Sequence, residues 1–264
     1  KFPYLRKIWQ KNTEEERLLG VSLTGIMDNE LTNGKKHGLS KTLEALREVA
    51  VETNKEWSAI FGIPQSAAIT CVKPSGTVSQ LVDSSSGIHP RHSSHYIRTV
   101  RGDNKDPLTN FMVDSGIPNE ADFMKPDTQT VFSFPMKSPK KSVVRNDMTA
   151  IEQLEMWLLY QRHWCEHKPS VTVSVRDEEW MEVGAFVFKH FDEMSGVSFL
   201  PHSDHTYQQA PYQDCTEAVY NDFSSKFTHI DWDKFQSYEK EDNTHSSQTL
   251  ACSGDSCEIV DIGA

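Results

Sequence analysis

Apolar side chains recur every three or four residues in two long segments, 40–61 and 148–165, and this spacing predicts two amphipathic helices. Ser40 is the predicted N-cap of the first helix, with Glu44 near the capping-box position. A glycine and a proline follow this helix and are expected to end it. Its predicted apolar face consists of Leu43, Leu46, Val49, Ala50, Thr53 and Trp57.

Short apolar or β-branched runs separate the helical segments and predict strands. The predicted strands are 20–25, 67–72, 96–100, 130–134, 170–175 and 196–200, and the further predicted helices are 1–19, 77–83, 106–116 and 177–193. Strands that alternate with helices are typical of an α/β fold with parallel βαβ units. The sequence therefore predicts an α/β protein.

The hydrophobic pattern weakens near the C-terminal end of the chain. Beyond about residue 227 no long periodic segment is found, and residues 236–257 are polar. Such segments bury too little apolar surface to be held against a core. We therefore expect a folded part over 1–227 and a mobile tail over 228–264.

Composition narrows the possible functions. The formal net charge of -11 argues against direct nucleic-acid binding, which needs a basic surface. No apolar run approaches the roughly 18 residues of a membrane span, and no signal peptide is visible. Five cysteines, an odd number, indicate a reduced, cytoplasmic protein. Because the chain starts at Lys1 without an initiator Met, we expect a fragment or one product of a split gene.

The segment 74–79, Pro-Ser-Gly-Thr-Val-Ser, is a turn of small residues between a predicted strand and a predicted helix. Gly76 would let a ligand approach the backbone closely. Free N–H groups and the hydroxyls of Ser75, Thr77 and Ser79 suit an anion such as phosphate, and Lys73 adds positive charge. The alternative is an ordinary turn with a capped helix.

Two cysteines lie close together near the C-terminus. Cys252 and Cys257 are separated by four residues that include a glycine, so a bend would allow them to form a disulfide. A mobile pair of this kind can carry electrons by thiol–disulfide exchange. Two alternatives stay open: the thiols are unreactive, or they bind zinc together with His205 or His245.

Several segments, taken in order, resemble the adenosylcobalamin-dependent (class II) ribonucleotide reductases, in particular the ribonucleoside-triphosphate reductases. They are 20–28 (GVSLTGIMD), 69–83 (ITCVKPSGTVSQLVD), 86–89 (SGIH), 96–101 (YIRTVR), 169–175 (PSVTVSV), 196–211 (GVSFLPHSDHTYQQAP) and the two tail cysteines. The resemblance covers nearly the whole chain, and the Pro-Ser-Gly-Thr-Val-Ser block and the Cys-x4-Cys pair are its most specific parts.

The resemblance implies the second half of a ten-stranded α/β barrel, a flexible C-terminal tail, and conversion of ribonucleoside triphosphates to deoxyribonucleotides with adenosylcobalamin as cofactor. It assigns substrate-phosphate binding to Ser75, Gly76, Thr77, Val78 and Ser79. It assigns to Cys252 and Cys257 the shuttling of electrons from thioredoxin to the active site.

This chain departs from the family pattern in one respect. The family's radical cysteine lies in an Asn-Pro-Cys-x-Glu type motif, and Cys71, Cys165 and Cys215 all lack that context. We therefore expect the chain to need a partner, the missing N-terminal half-barrel, and to be inactive alone.

The Ser-Gly-Ile-His segment leaves a further question open. His89 either lies near substrate or cobalamin in the assembled barrel, or belongs to a loop held by its own hydrogen bonds. Two functions from other classes also remain: a nucleotide-binding module that has lost catalysis, and a thiol-redox adaptor that uses Cys252 and Cys257.

Overall fold

The fold is described from a computed structural model, which describes residues 6–76, 78–202 and 208–240. The helices are α1 (Lys7–Glu16), α2 (Leu39–Phe61), α3 (Val78–Leu81), α4 (Pro107–Asp114), α5 (Ala150–His163), α6 (Trp180–Lys189) and α7 (Glu217–Ser225). The strands are β1 (Val21–Ser22), β2 (Thr70–Cys71), β3 (His95–Asp103), β4 (Asn119–Ala121), β5 (Gln129–Lys137), β6 (Ser170–Val175), β7 (Gly196–Pro201) and β8 (Tyr212–Asp214).

The chain divides into two compact units. Unit 1 comprises Lys1–Tyr96 and Lys137–His205, and unit 2 comprises Ile97–Met136 and Thr206–Ala264. These units do not test the division at 227/228 that the sequence predicts, and it stays a prediction. A 3-10 helix at Trp232–Ser237 belongs to unit 2, where the rings of Phe235 and Tyr238 pack on Phe111. Residues 241–264, which hold the expected redox tail, lie outside the described residues.

Unit 1 contains the predicted parallel βαβ units. β1 pairs with β2, and β6 pairs with β7 over six residues, with α6 as the crossover. Alternate residues of β6 are buried, namely Val171, Val173 and Val175, because one face of the strand packs on the helices. Just after β2, the carbonyl of Val72 accepts a hydrogen bond of 3.4 Å from the Ser170 N–H, so the two pairs are neighbours.

Helix α5 lies at the centre of the unit 1 core. Its residues Leu154 and Trp157 are fully buried in the cluster that also holds the β6 valines. The Trp157 indole N–H donates to the Pro169 carbonyl at 3.2 Å and so fixes the start of β6. The helix begins in a capping box: Thr149 Oγ1 accepts from the Glu152 N–H, and the Glu152 carboxylate accepts from the Thr149 N–H.

Unit 2 contains one four-stranded sheet. Its sheet has the order β4-β5-β3-β8, and β4 runs antiparallel to β5. The prediction of parallel units throughout is therefore wrong for unit 2. Strands β4 and β8 are three residues long and carry polar or exposed side chains, so no hydrophobic alternation marks them in the sequence. The fold is mixed α/β, and the half-barrel stays a prediction.

Two expectations about α2 are corrected by the structure. Gly38, with a φ of 90°, occupies the N-cap position and no side chain caps the helix, so Ser40 is not the cap. The predicted apolar face is covered only in part, because Leu43 is fully buried whereas Val49 and Trp57 are 65% and 49% exposed. The helix ends at Gly62, as predicted, with a left-handed φ of 64°.

Among the described residues, no helix is both long and apolar enough to cross a membrane.

We expect Thr149→Ala to lower the free energy of unfolding of unit 1 by about 1 kcal/mol, the usual value of a lost N-cap. The reason is that the Glu152 N–H would lose its only side-chain acceptor in the cap. Urea unfolding followed by circular dichroism measures the change. Thr149→Ser is the matched control and should retain most of the stability; an equal loss in both variants would contradict the capping role.

Candidate functional site

The loop 74–79 connects β2 to α3 on the surface of unit 1. The backbone N–H of Lys73 donates to Ser22 Oγ at 3.0 Å, which ties the start of the loop to β1. A side chain built on Gly76 would meet no atom within 4 Å, so this side of the loop is open. Of the five residues expected to bind phosphate, four are described, and Thr77 lies outside the described residues.

Hydrogen-bond donors of this loop are available to a ligand. Within the described part of the chain, the backbone N–H groups of Ser75, Gly76 and Val78 have no acceptor. Val78 is exposed, whereas Ser79 is fully buried and its hydroxyl donates to the Ser75 carbonyl. Successive unpaired N–H groups on an exposed turn form an anion-binding concavity. The loop therefore combines unpaired backbone donors on partly or fully exposed residues with a buried serine that is hydrogen-bonded back to the loop.

Thr24, which the sequence did not single out, contacts the loop from the neighbouring strand connection. Its Oγ1 donates to the Ser85 carbonyl at 2.9 Å and lies 3.2 Å from Ser75 Oγ. A hydroxyl has one proton. Because Thr24 gives that proton to Ser85, Ser75 is the donor in the contact between the two hydroxyls. The signal in the sequence was the position of Thr24 within the segment 20–28 that carries the family resemblance.

An ion pair lies beneath the loop. The guanidinium of Arg91 contacts the carboxylate of Asp28 at 2.8 Å and that of Asp83 at 3.0 Å. Burial alone would lower the pKa of Arg91, but its hydrogen bonds to Asp28, Tyr96 and Asp83 raise the pKa well above the ordinary value. The Asp28 carboxylate also accepts the Ser85 N–H at 2.7 Å. No motif in the sequence predicted this ion pair.

His89 is held by hydrogen bonds at both ring nitrogens. Its Nε2 accepts from the Thr172 N–H at 2.9 Å, so the proton of the neutral ring is on Nδ1, which donates to the Ser86 carbonyl at 2.8 Å. Burial lowers the pKa of His89 below its ordinary 6.5, although the bond to Ser86 opposes the shift. The residue fastens the 86–92 loop to β6, and neither nitrogen is left to bind a cofactor.

The described cysteines do not form a redox pair. Cys71, Cys165 and Cys215 are all free thiols. Burial, with a smaller contribution from Cys71, raises the pKa of Cys165 to about 12, so this thiol is protonated and unreactive at neutral pH. Burial and the neighbouring Asp214 raise the pKa of Cys215 as well. Cys252 and Cys257, with the expected shuttle role, lie outside the described residues.

Several curated proteins similar to this chain are named as adenosylcobalamin-dependent ribonucleoside-triphosphate reductases. This chain is 29% identical to a probable adenosylcobalamin-dependent ribonucleoside-triphosphate reductase of Dictyostelium discoideum, over 98% of this chain and 33% of that protein. It is 28% identical to the Euglena gracilis reductase of the same name, over 81% of this chain and 30% of that protein. The Lactobacillus delbrueckii subsp. bulgaricus reductase is 25% identical over 86% of this chain. No family model matches the chain.

The fold also has a similar solved structure. A crystal structure of a B12-dependent (class II) ribonucleotide reductase matches with a TM-score of 0.75 and 23% identity, over 88% of this chain and 36% of that chain. The resemblance inferred from sequence motifs is thus confirmed. The chain spans about a third of the length of the curated relatives it matches, 33% and 30% in the first two.

We expect stability to fall as the pH drops below about 6.5, in part because of His89. The pKa of His89 is lower in the folded protein than in the unfolded chain. As the pH falls, the unfolded chain therefore binds a proton at His89 before the folded protein does, and acid favours unfolding. In His89→Gln, urea unfolding at about pH 7.5 and about pH 5.5 should show a smaller difference in stability than in the wild type.

Thr149→Ala is the matched control for this measurement. It should lower stability at both pH values by a similar amount, because a threonine does not titrate. A pH dependence of His89→Gln equal to that of the wild type would show that the histidine is not held neutral by its surroundings.

Proposed function

We propose that this chain is the C-terminal segment of an adenosylcobalamin-dependent ribonucleoside-triphosphate reductase, in which it supplies the loop that binds the substrate's phosphates. The observation that carries the proposal is the loop 74–79, whose N–H groups at Ser75, Gly76 and Val78 are unpaired among the described residues and whose Gly76 adjoins free space. The similarity to named reductases along 98% of the chain supports the same assignment.

The loop suits a triphosphate for electrostatic reasons. Backbone N–H groups bring partial positive charge close to phosphate oxygens without requiring a basic protein, which fits the net charge of -11. Lys73 is exposed at the start of the loop and adds a full positive charge. The chain's part in the reaction is therefore to hold and orient the substrate.

We assign no residue of this chain to the cofactor. The sequence left open whether His89 lies near substrate or cobalamin or belongs to a self-contained loop, and both of its ring nitrogens are engaged within the protein. No group of three or more potential metal ligands is found among the described residues. Adenosylcobalamin is proposed as the cofactor because the similar reductases are named as dependent on it.

The remaining two-thirds of the reductase is the proposed partner. Beside strand β1, whose only strand partner in the described residues is β2, an apolar cleft of 690 Å³ is lined by residues that include Leu19, Trp57 and Phe61. These side chains are 47%, 49% and 64% exposed. An open strand edge beside apolar side chains favours further pairing and burial. We propose that the missing N-terminal half-barrel covers this surface and completes a ten-stranded barrel.

Two other functions remain less well supported. A nucleotide-binding module without catalysis would use the same loop, and a thiol-redox adaptor would use only Cys252 and Cys257. Neither explains why the similarity to reductases extends along nearly the whole chain.

We expect Gly76→Ala to weaken the binding of tripolyphosphate and ATP by about tenfold, or about 1.4 kcal/mol. The added methyl group has free space in the protein and would stand where a phosphate approaches, so folding stability should change little. Isothermal titration calorimetry measures the affinities.

Gly184→Ala in α6 is the matched control, since its added methyl group also meets no atom within 4 Å. It should leave the affinity unchanged. Equal affinities of wild type and Gly76→Ala, or no binding by the wild-type chain, would contradict the assignment of the loop.

We expect the double change Cys252→Ser and Cys257→Ser to abolish thioredoxin-driven multiple turnover but to spare a single turnover. The reason is that a shuttle pair recharges the active site only after each round. The assay uses this chain combined with the N-terminal two-thirds of a related reductase, and it measures deoxynucleotide formed per active site.

Cys215→Ser is the control for this assay, because that thiol is described as free and is not assigned to the shuttle. Continued multiple turnover by the double variant would refute the shuttle role, as would the loss of the first turnover.

A further inference from the structure

The side chain of Arg91 is enclosed beneath the loop and uses all of its nitrogens. Its Nε and Nη2 contact both oxygens of Asp28, at 3.0 and 2.8 Å, in a two-pronged pair. Its Nη1 contacts the Asp83 carboxylate at 3.0 Å and Nη2 the Asp83 carbonyl at 2.6 Å. The side chain is 4% exposed, so it cannot reach a ligand at the surface.

Asp28 links the Arg91 side chain to Ser85 through a hydrogen bond. The carboxylate that binds Arg91 also accepts the Ser85 N–H at 2.7 Å. The Ser85 carbonyl accepts from the Gly25 N–H at 2.8 Å and from Thr24 Oγ1 at 2.9 Å. The Ser85 hydroxyl accepts from the Met27 N–H at 3.1 Å. Every polar group of this buried serine is therefore fixed, and Thr24 is fixed with it.

Hydrogen bonds connect these residues to both ends of the loop 74–79. Thr24 receives the hydroxyl proton of Ser75 across 3.2 Å at the start of the loop. The Ser84 N–H, next to Ser85, donates to the Ser79 carbonyl at 2.8 Å at the end of the loop. A hydrogen-bonded path thus runs from the buried guanidinium to the two serines that flank the open N–H groups.

The backbone conformation of Asp83 is unfavourable, so its contacts with Arg91 help to hold it in place. Its φ of 46° is left-handed, a conformation that is unfavourable for a residue with a side chain. Asp83 lies just after the end of α3, so a change in its backbone conformation would release the end of the loop. Arg91 contacts both its carbonyl and its carboxylate, and a lysine, with one nitrogen, cannot replace this planar set of donors.

We propose that Arg91 is a positioning residue for substrate binding: through Asp28, Ser85 and Thr24 it holds the loop 74–79 in the geometry that receives a phosphate chain. This inference rests on the proposed function of the loop. Arg91 touches neither substrate nor cofactor. Arg91 keeps the loop ordered, and this ordering raises the affinity of the loop for the phosphates.

Hydrogen exchange and tripolyphosphate binding, measured on the full chain, test the inference. Arg91→Lys should speed amide exchange at residues 75–85 without ligand and weaken tripolyphosphate binding by about tenfold, the equivalent of one ordinary hydrogen bond. Thr24→Val, which keeps the ion pair and breaks the path to Ser75, should also weaken binding, and Thr24→Ser should restore it.

Arg101→Lys is the matched control. Arg101 pairs with Asp122 at 2.6 Å, and that carboxylate is 4% exposed, but the pair lies in unit 2. This variant should leave both exchange at 75–85 and affinity unchanged.

The outcomes separate the inference from the proposed function. Wild-type exchange at 75–85 in Arg91→Lys would overturn the inference whether or not the chain binds phosphate. Faster exchange spread evenly over unit 1 would overturn it too, because Arg91 would then act on stability alone, as would unchanged affinity with a loosened loop. If the wild-type chain fails to bind tripolyphosphate while exchange changes as expected, the positioning of the loop stands and the phosphate site falls.

Discussion

The contact between Arg91 and Asp28 constrains the rest of the site, because two charges removed from water are stable only in a complete set of partners. Removing each ion from water costs several kcal/mol. Losing one partner of a buried ion pair destabilises a protein by about 3–5 kcal/mol, because the other charge is left unpaired. The partners come from segments far apart in the chain, around Thr24, Ser85 and Arg91 itself. Hydrogen bonds of Thr24 and Ser84 connect these segments to the loop 74–79.

The site combines a fixed base with open donors. Ser79 and Ser85 are buried and hydrogen-bonded through both their hydroxyl and their carbonyl groups. Gly76 faces free space and its N–H has no acceptor among the described residues. A binding site gains affinity when its donors are ordered before the ligand arrives, since less freedom is then lost on binding. On the proposed assignment of the loop, a larger side chain at Gly76 would occupy space that a phosphate needs.

Local patterns in the sequence predicted what local forces determine. Strand β6 was predicted at 170–175, as observed, because valines alternate along it and one face is buried. The cap of α2 was missed, since a glycine at a φ of 90° began the helix where a serine was expected. Strands β4 and β8 carry no hydrophobic signal, and the Arg91–Asp28 pair joins residues 63 positions apart, which no spacing rule reveals. The loop itself was predicted, but the residues that hold it were not.

The exposed face of α2 shows what periodicity can and cannot establish. The pattern identified side chains that prefer burial, and Leu43 is buried, yet Val49 and Trp57 are exposed in the described structure. Burying a large apolar side chain is worth about 1.5–3 kcal/mol, so a face of this kind is favourable only when something covers it. The chain spans about a third of its relatives' length, at 33% of the first. On the proposed assignment, the apolar face of α2 is covered by the part of the reductase that this segment does not contain, whereas the hydrogen bonds that hold the loop 74–79 all lie within this segment.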